Sequence, residues 1–177
     1  FKGTRTAFYE LETDSNESGY CILTSSDIND GTINYESLIN ILDGKKYDKY
    51  LLNDGDVVLT NKSSKVKIAV VHTAGKKIIA TGSMLIITPK KDLLNSIFLK
   101  MFFESSKGRR ILNKIQKGSI TNTLTIEDLE KIYISCPDME VQKAKVENYK
   151  QLQIEYDSIK KQMELLQLEI QKVFEEF

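Results

Sequence analysis

The tail of the sequence constrains the fold most. Tyr149, Leu152, Tyr156, Ile159, Met163, Leu166, Ile170, Val173 and Phe177 follow one another at alternating spacings of three and four residues. A heptad seam of this kind places its apolar side chains on one face of an α-helix and matches that face to another helix. At about 1.5 Å per residue it extends roughly 43 Å. No Gly or Pro interrupts it, and Leu165, Leu168 and Phe174 widen the stripe. A helix this long cannot hide its seam inside a small domain. Three partners would satisfy it: a second copy of the chain, a second half of the same chain, or a different subunit. Asp138 is placed to cap the helix, with Glu140 near its positive end. The expected division is a domain over residues 1–137 and a helical spacer, or coiled-coil dimerisation helix, over residues 138–177.

Upstream the periodicity changes. Tyr20–Leu23, Val57–Thr60, Ile68–Val71, Ile78–Thr81 and Met84–Thr88 are short, rich in β-branched residues and bounded by turn chemistry at Asn29-Asp30-Gly31, Asp54-Gly55, Gly75 and Gly82. They predict a mostly antiparallel β unit over roughly residues 20–90. From Leu93 the apolar residues Leu94, Ile97, Phe98, Met101 and Phe102 predict a helix, with Asp92 to cap it and Gly108 to stop it. These aromatics are core. A second helix is predicted over Arg109–Gln116, ending at Gly118. Thr125-Ile126-Glu127-Asp128 has the form of a capping box, and Tyr133–Ser135 reads as a returning strand closed by Pro137. The fold class is therefore α+β: a mostly antiparallel β domain with packed helices, then a long coiled-coil helix.

Charge narrows the function. The chain holds 25 Lys and Arg against 25 Asp and Glu, but they lie in blocks. Residues 1–59 carry 5 cationic and 11 acidic side chains, residues 60–120 carry 13 and 2, and residues 121–177 carry 7 and 12. A basic middle third points to a polyanionic partner. The opposing reading is that the acidic flanks fold over this block and neutralise it. No apolar run reaches the roughly 18–20 residues of a membrane span. The opening FKGTRTAF has neither Met nor an apolar signal core, and reads as the start of a piece of a longer chain.

Catalytic patterns are absent. There is no P-loop, no Gly-rich cofactor loop and no metal-ligand spacing. His72 is the sole histidine and reads as structural. Cys21 and Cys136 match neither a zinc pattern nor a disulfide scaffold, so two packed thiols in a reducing cytosol are expected. These features describe a binding module that is not itself an enzyme.

The series DINDGTI, KYLLNDGDVVLTNKSSKVKIAVV, a Gly-Ser before MLIITPK, then IFLKMFFESSKGRRILNKIQKGSITNTLTIEDLEKIYISCP, Gln142 and a long helix resembles the specificity subunits of type I restriction–modification systems. The resemblance covers the chain from about Tyr20 onward. It implies a target recognition domain followed by a helical spacer, reading one half of a split duplex DNA site. It also implies methyltransferase (modification) subunits as partners, which carry S-adenosylmethionine, an endonuclease subunit reached through the complex, and a DNA-associated place in a prokaryotic cytoplasm. No cofactor is expected in this chain. Full-length members carry two such units, so this chain is either a fragment or a half-size subunit that pairs with itself. A third reading is the recognition segment of a fused restriction–methylation enzyme. A coiled-coil assembly protein without DNA specificity is the alternative from a different class.

Under the DNA reading, the chain beyond Thr60 is the reader. Lys62, Lys65 and Lys67 neutralise phosphates, and Asn61, Ser63 and Ser64 offer hydrogen-bonding groups. Lys76, Lys77, Lys90 and Lys91 extend the track, and Arg109 and Arg110 meet phosphate or a partner subunit. Asp54 and Asp56 repel phosphate, so their turn is expected away from the DNA. All these cations are expected to converge on one surface.

Overall fold

Val57–Thr60 and Met84–Ile87 are continuous apolar runs, which a strand shows when both of its faces are covered. The computed structural model places them side by side. It describes residues 19–41, 44–63, 65–117 and 123–175. The chain divides into two units, one up to Cys136 and one from Pro137 onward.

The first unit contains eight short strands in its described residues: β1 (Tyr20–Leu23), β2 (Ile28–Asn29), β3 (Thr32–Ile33), β4 (Ile39–Asn40), β5 (Val57–Thr60), β6 (Ile68–Val70), β7 (Lys77–Ala80) and β8 (Met84–Ile87). They form a β6-β5-β8 sheet, a β4-β1-β7 sheet and the β2-β3 hairpin. Pairing is antiparallel except between β1 and β7, which run parallel with Tyr20 opposite Lys77 and Leu23 opposite Ala80. The hairpin turn holds Asp30 and Gly31 at φ of 47° and 77°. Two consecutive positive φ values match the twist of antiparallel strands, which is why Asp-Gly sits there.

Side-chain alternation then builds three apolar layers. Val58, Ala69, Met84 and Ile86 point toward the second sheet and meet Cys21, Leu23, Ile78 and Ala80. Val57, Leu59, Ile68 and Leu85 point the other way, onto two helices. On the far face of the second sheet, Ile22, Ile41 and Ile79 pack with Tyr20, Tyr47, Tyr50 and Leu51. Tyr47 and Tyr50 belong to a 3-10 helix, Gly44–Tyr50, which the sequence reading did not anticipate.

The helices are α1 (Ser96–Glu104), α2 (Ser106–Lys117) and α3 (Ile126–Glu130), followed in the second unit by α4 (Met139–Glu175). Two boundaries differ from expectation. The cap of α1 is Asn95, whose side chain accepts from the amides of Ile97 and Phe98, and not Asp92. The amides of Leu93 and Leu94 bond to the Lys90 carbonyl, so Asp92 lies inside a turn that precedes the helix. Gly108 does not stop a helix but lies within α2. A Cβ there would stand 2.0 Å from the Phe102 carbonyl oxygen, so glycine permits the close approach of α1 and α2.

Thr125 and Asp128 form the expected capping box. Tyr133–Ser135 is not a strand: Ile132 and Ile134 pack on the helical core without a ladder partner, while Tyr133 is 92% exposed. Cys21 is buried as expected, but Cys136 is exposed. Gly118 lies outside the described residues.

In the second unit, Asp138 accepts from the Val141 amide at 2.9 Å and caps α4. At 37 residues, α4 spans roughly 55 Å. Leu152, Tyr156, Ile159, Met163, Leu166, Ile170 and Val173 are exposed to between 50% and 64%. Tyr149 is half-buried, and Phe177 and the Phe174 side chain lie outside the described residues. Among the described residues no helix is long and apolar enough to cross a membrane.

The α1–α2 junction gives a direct test. Gly108→Ala forces backbone to shift and should cost about 1–3 kcal/mol or more in chemical denaturation. Asn113→Ala, exposed on the same helix, should stay within about 0.5 kcal/mol.

Candidate nucleic-acid interface

The loop leaving β5 is closed at its base by Thr60 and Lys67. The Thr60 amide bonds to the Lys67 carbonyl, and the Thr60 hydroxyl accepts from the Lys67 amide at 2.9 Å. Between them the loop is bolted to its surroundings. Asn61 is 1% exposed. Its amide donates to the Ser83 carbonyl, its Nδ2 to the Gly82 carbonyl, and its own carbonyl accepts from the Leu124 amide. Asn61 is thus a structural residue, and the expectation that it offers groups to DNA gives way to this role.

From α2, Gln116 donates to the Ser63 carbonyl at 3.0 Å, and the Arg109 guanidinium donates to the Val66 carbonyl. Lys67 is half-buried, and its ammonium donates to the Ser25 carbonyl at 2.9 Å. Lys67 and Arg109 therefore act inside the fold as well as carrying charge. Ser63 turns its hydroxyl onto the Lys65 carbonyl. Ser64 lies outside the described residues. Among the described residues, this loop exposes Lys62 and Lys65, and its backbone is hydrogen-bonded from three directions.

Helix α2 continues the charge. Lys107, Arg110 and Lys114 are spaced by three and four residues and exposed on its outward face, and α2 contains no acidic residue. Like charges at this spacing destabilise an isolated helix by a few tenths of a kcal/mol per pair. Leu112 and Ile115, packed on the sheet, offset this cost. Of these three, sequence reasoning found only Arg110. The three-and-four spacing of cations was the available signal for Lys107 and Lys114.

The other expected cations stand elsewhere. β7 runs from Lys77 to Ala80, and the Thr81–Ser83 turn beyond Ala80 meets Asn61, so Lys76 and Lys77 stand at the opposite end of the sheets from the Asn61–Lys67 loop. Lys90 and Lys91 follow β8 at the end where Ile87 pairs with Val57. The exposed carboxylate of Asp54 accepts from the Thr73 amide and lies 3.9 Å from His72 at this same end. Strands of four residues separate the two ends by roughly 13 Å. The expected single surface is therefore two groups: Lys62 and Lys65 beside the α2 stripe, and Lys76, Lys77, Lys90 and Lys91 at the far end. The Asp54 turn does lie away from the Lys62–Lys65 loop. Asp56 is buried, accepting from the Asn53 amide and the Thr88 hydroxyl.

The far group has an aromatic setting of its own. Lys77 donates to the Tyr20 hydroxyl at 3.1 Å and sits 4.4 Å above the Tyr20 ring. The hydrogen bond to Tyr20, more than any other influence, holds its pKa above the ordinary lysine value. Among the described residues no group of His, Cys, Asp and Glu is placed to hold a metal ion.

A family model for the type I restriction modification DNA specificity domain matches residues 2–168. The chain belongs to that family. One solved structure similar to this specificity domain is a chain described in the words "structural basis underlying complex assembly and conformational transition of the type I R-M system". The TM-score is 0.68 and the identity 17%, and the match covers 91% of this chain and 37% of that one. At this identity the likeness shows the fold. The specificity domain thus spans little more than a third of the solved chain's length. No curated protein matches it.

The role of α2 in fixing the loop is testable. Gln116→Ala leaves the Ser63 carbonyl without its donor, at a cost of about 1 kcal/mol. Hydrogen exchange should quicken at the Asn61 and Lys67 amides, which bond at the two ends of the loop, and stay unchanged across the β5–β8 ladder.

Proposed function

We propose that this specificity domain reads one half of a bipartite duplex DNA site and, through its helix, scaffolds methyltransferase subunits of a type I restriction–modification complex. The carrying observation is the hydrogen-bonded loop that exposes Lys62 and Lys65 beside the acid-free cationic stripe of α2. The cations hold phosphate and set the register. Base discrimination then falls to groups that this register brings to the groove. A loop held by Gln116, Arg109 and Asn61 loses little conformational entropy on binding, which favours affinity. S-adenosylmethionine belongs, in this reading, to the partner methyltransferase, and the endonuclease subunit joins through the complex. The setting is the prokaryotic cytoplasm.

The exposed seam of α4 supports pairing with a second helix, from another copy or from a second recognition unit. Self-pairing would produce a two-fold molecule and require a two-fold split site. The same seam favours the rival reading, an assembly protein without DNA specificity. The two readings differ in salt dependence.

Binding of random-sequence duplex, followed by fluorescence anisotropy, should weaken linearly in log K against log salt. Lys62→Gln, Lys65→Gln, Arg110→Gln and Lys114→Gln should each flatten that slope by about 0.9 per lost phosphate contact. A flat slope in the unsubstituted protein favours the rival. Separately, Ile159→Asp with Leu166→Asp should abolish self-association in sedimentation and leave contact with a half-site intact. Loss of both together would show that recognition is not modular.

A further inference from the structure

The 3-10 helix Gly44–Tyr50 reads GKKYDKY and lies over the far face of the β4-β1-β7 sheet, where Tyr47 and Tyr50 join Tyr20 on Ile22, Ile41 and Ile79. Lys46 and Lys49, three residues apart in this helix, share one side of it, and the Tyr20 hydroxyl, which meets both Asp48 and Lys77, ties the start of β7 to the same layer. Lys45, Lys46 and Lys49 are exposed, and Lys76 and Lys77 at the start of β7 are exposed beside them. Lys46 and Lys49 stand 5.3 Å and 5.0 Å from the ring centroids of Tyr47 and Tyr50. The acid in this stretch is Asp48, whose carboxylate accepts from the Tyr20 hydroxyl at 2.9 Å; Asp43 lies outside the described residues.

We propose that this lysine–tyrosine face is a second, sequence-independent contact for duplex DNA, separate from the loop and α2. Three observations carry it. The charge is positive and repeated, as a phosphate backbone requires. The tyrosine rings are half-buried and have lysine ammoniums against them, so they do not serve as stacking platforms for unpaired bases; what the face presents is charge. The face also lies on the opposite outer layer from α2. Side chains alternating along β1 and β7 point either to the inter-sheet core or to this face, while α1 and α2 cover the other sheet's outer side. Two sheets packed about 10 Å apart stand between the surfaces. A duplex of one helical turn, stiff on that scale, reaches one face and not both. The choice of DNA as occupant rests on the proposed function; the separateness of the site rests on the layers.

The test is stoichiometry, by sedimentation at low salt with a saturating random-sequence duplex of about one helical turn, ~10 bp. The unsubstituted chain should bind two duplexes. Lys45→Glu with Lys49→Glu and Lys76→Glu should bind one, and so should Lys62→Glu with Lys65→Glu and Arg110→Glu. The six together should bind none, with circular dichroism unchanged throughout. One duplex per chain, lost only with the second set, overturns this proposal and leaves the first reading standing. One duplex, lost only with the first set, overturns the assignment to the loop and α2 and supports this face. One duplex lost with either set means a single joined site and overturns the separation.

Discussion

The β6-β5-β8 sheet is apolar on both sides, and much else in the recognition unit follows from that. Val57, Val58, Leu59 and Thr60 are all buried. With a period of two, they send alternate side chains to the inter-sheet core and to the helices. Alternation alone does not set the register of a strand apolar on both faces, and polar anchors do: buried Asp56 accepts from the Asn53 amide and the Thr88 hydroxyl at one end, and the Asn61 amide donates to the Ser83 carbonyl at the other. Its ends are therefore fixed, and so is the position at which Asn61 and the following loop emerge. The loop after β5 inherits its placement from those anchors. The hydrogen bonds from Gln116, Arg109 and Asn61 then hold the loop's backbone against that frame.

Local chemistry was the readable part of the fold. The β5 and β8 runs, the Thr125–Asp128 capping box, the Asp138 cap and the uninterrupted seam of α4 each depend on residues within one or two turns of one another. They stand in the structure as the residues imply. The misses are non-local. Asp92 and Asn95 both satisfy the rule for a cap, and the choice fell to Asn95 because the Lys90 carbonyl draws residues 93 and 94 into a turn. Gly108 looks like a helix stop, and only the approach of the Phe102 backbone reveals that it is a packing position. Tyr133–Ser135 has strand composition but meets no sheet edge. The parallel pairing of β1 with β7 joins segments more than fifty residues apart, and no local signal marks it.

The same distinction governs the interface. Counting charges along the chain located a basic block correctly, because composition is a one-dimensional property. It could not say which side of a sandwich each lysine would occupy. Successive strands carry the chain from one end of the sheets to the other, so Lys62 and Lys76, near neighbours in sequence, emerge at opposite ends. Lys45, Lys46 and Lys49 belong to the acidic first block, and their negative neighbours in sequence concealed them. Tertiary packing through Tyr47 and Tyr50 brings them beside Lys76 and Lys77.

Separation also decides how the two cationic groups act on a polyanion. At physiological ionic strength the Debye length is about 8 Å, shorter than the roughly 13 Å between the strand ends. The groups do not share one long-range field, and each acts through its own immediate surroundings. Local density of cations therefore matters more than total charge, and a chain of zero formal net charge can still carry dense cationic groups. Two groups acting independently contribute additively when they touch one molecule and fill separately when they touch two. Each group is fixed by a different packed layer, so a substitution that alters one leaves the geometry of the other intact. That independence lets a domain of this size carry the loop and α2 on one side and a separate charged face on the other, without either constraining the residues available to the other.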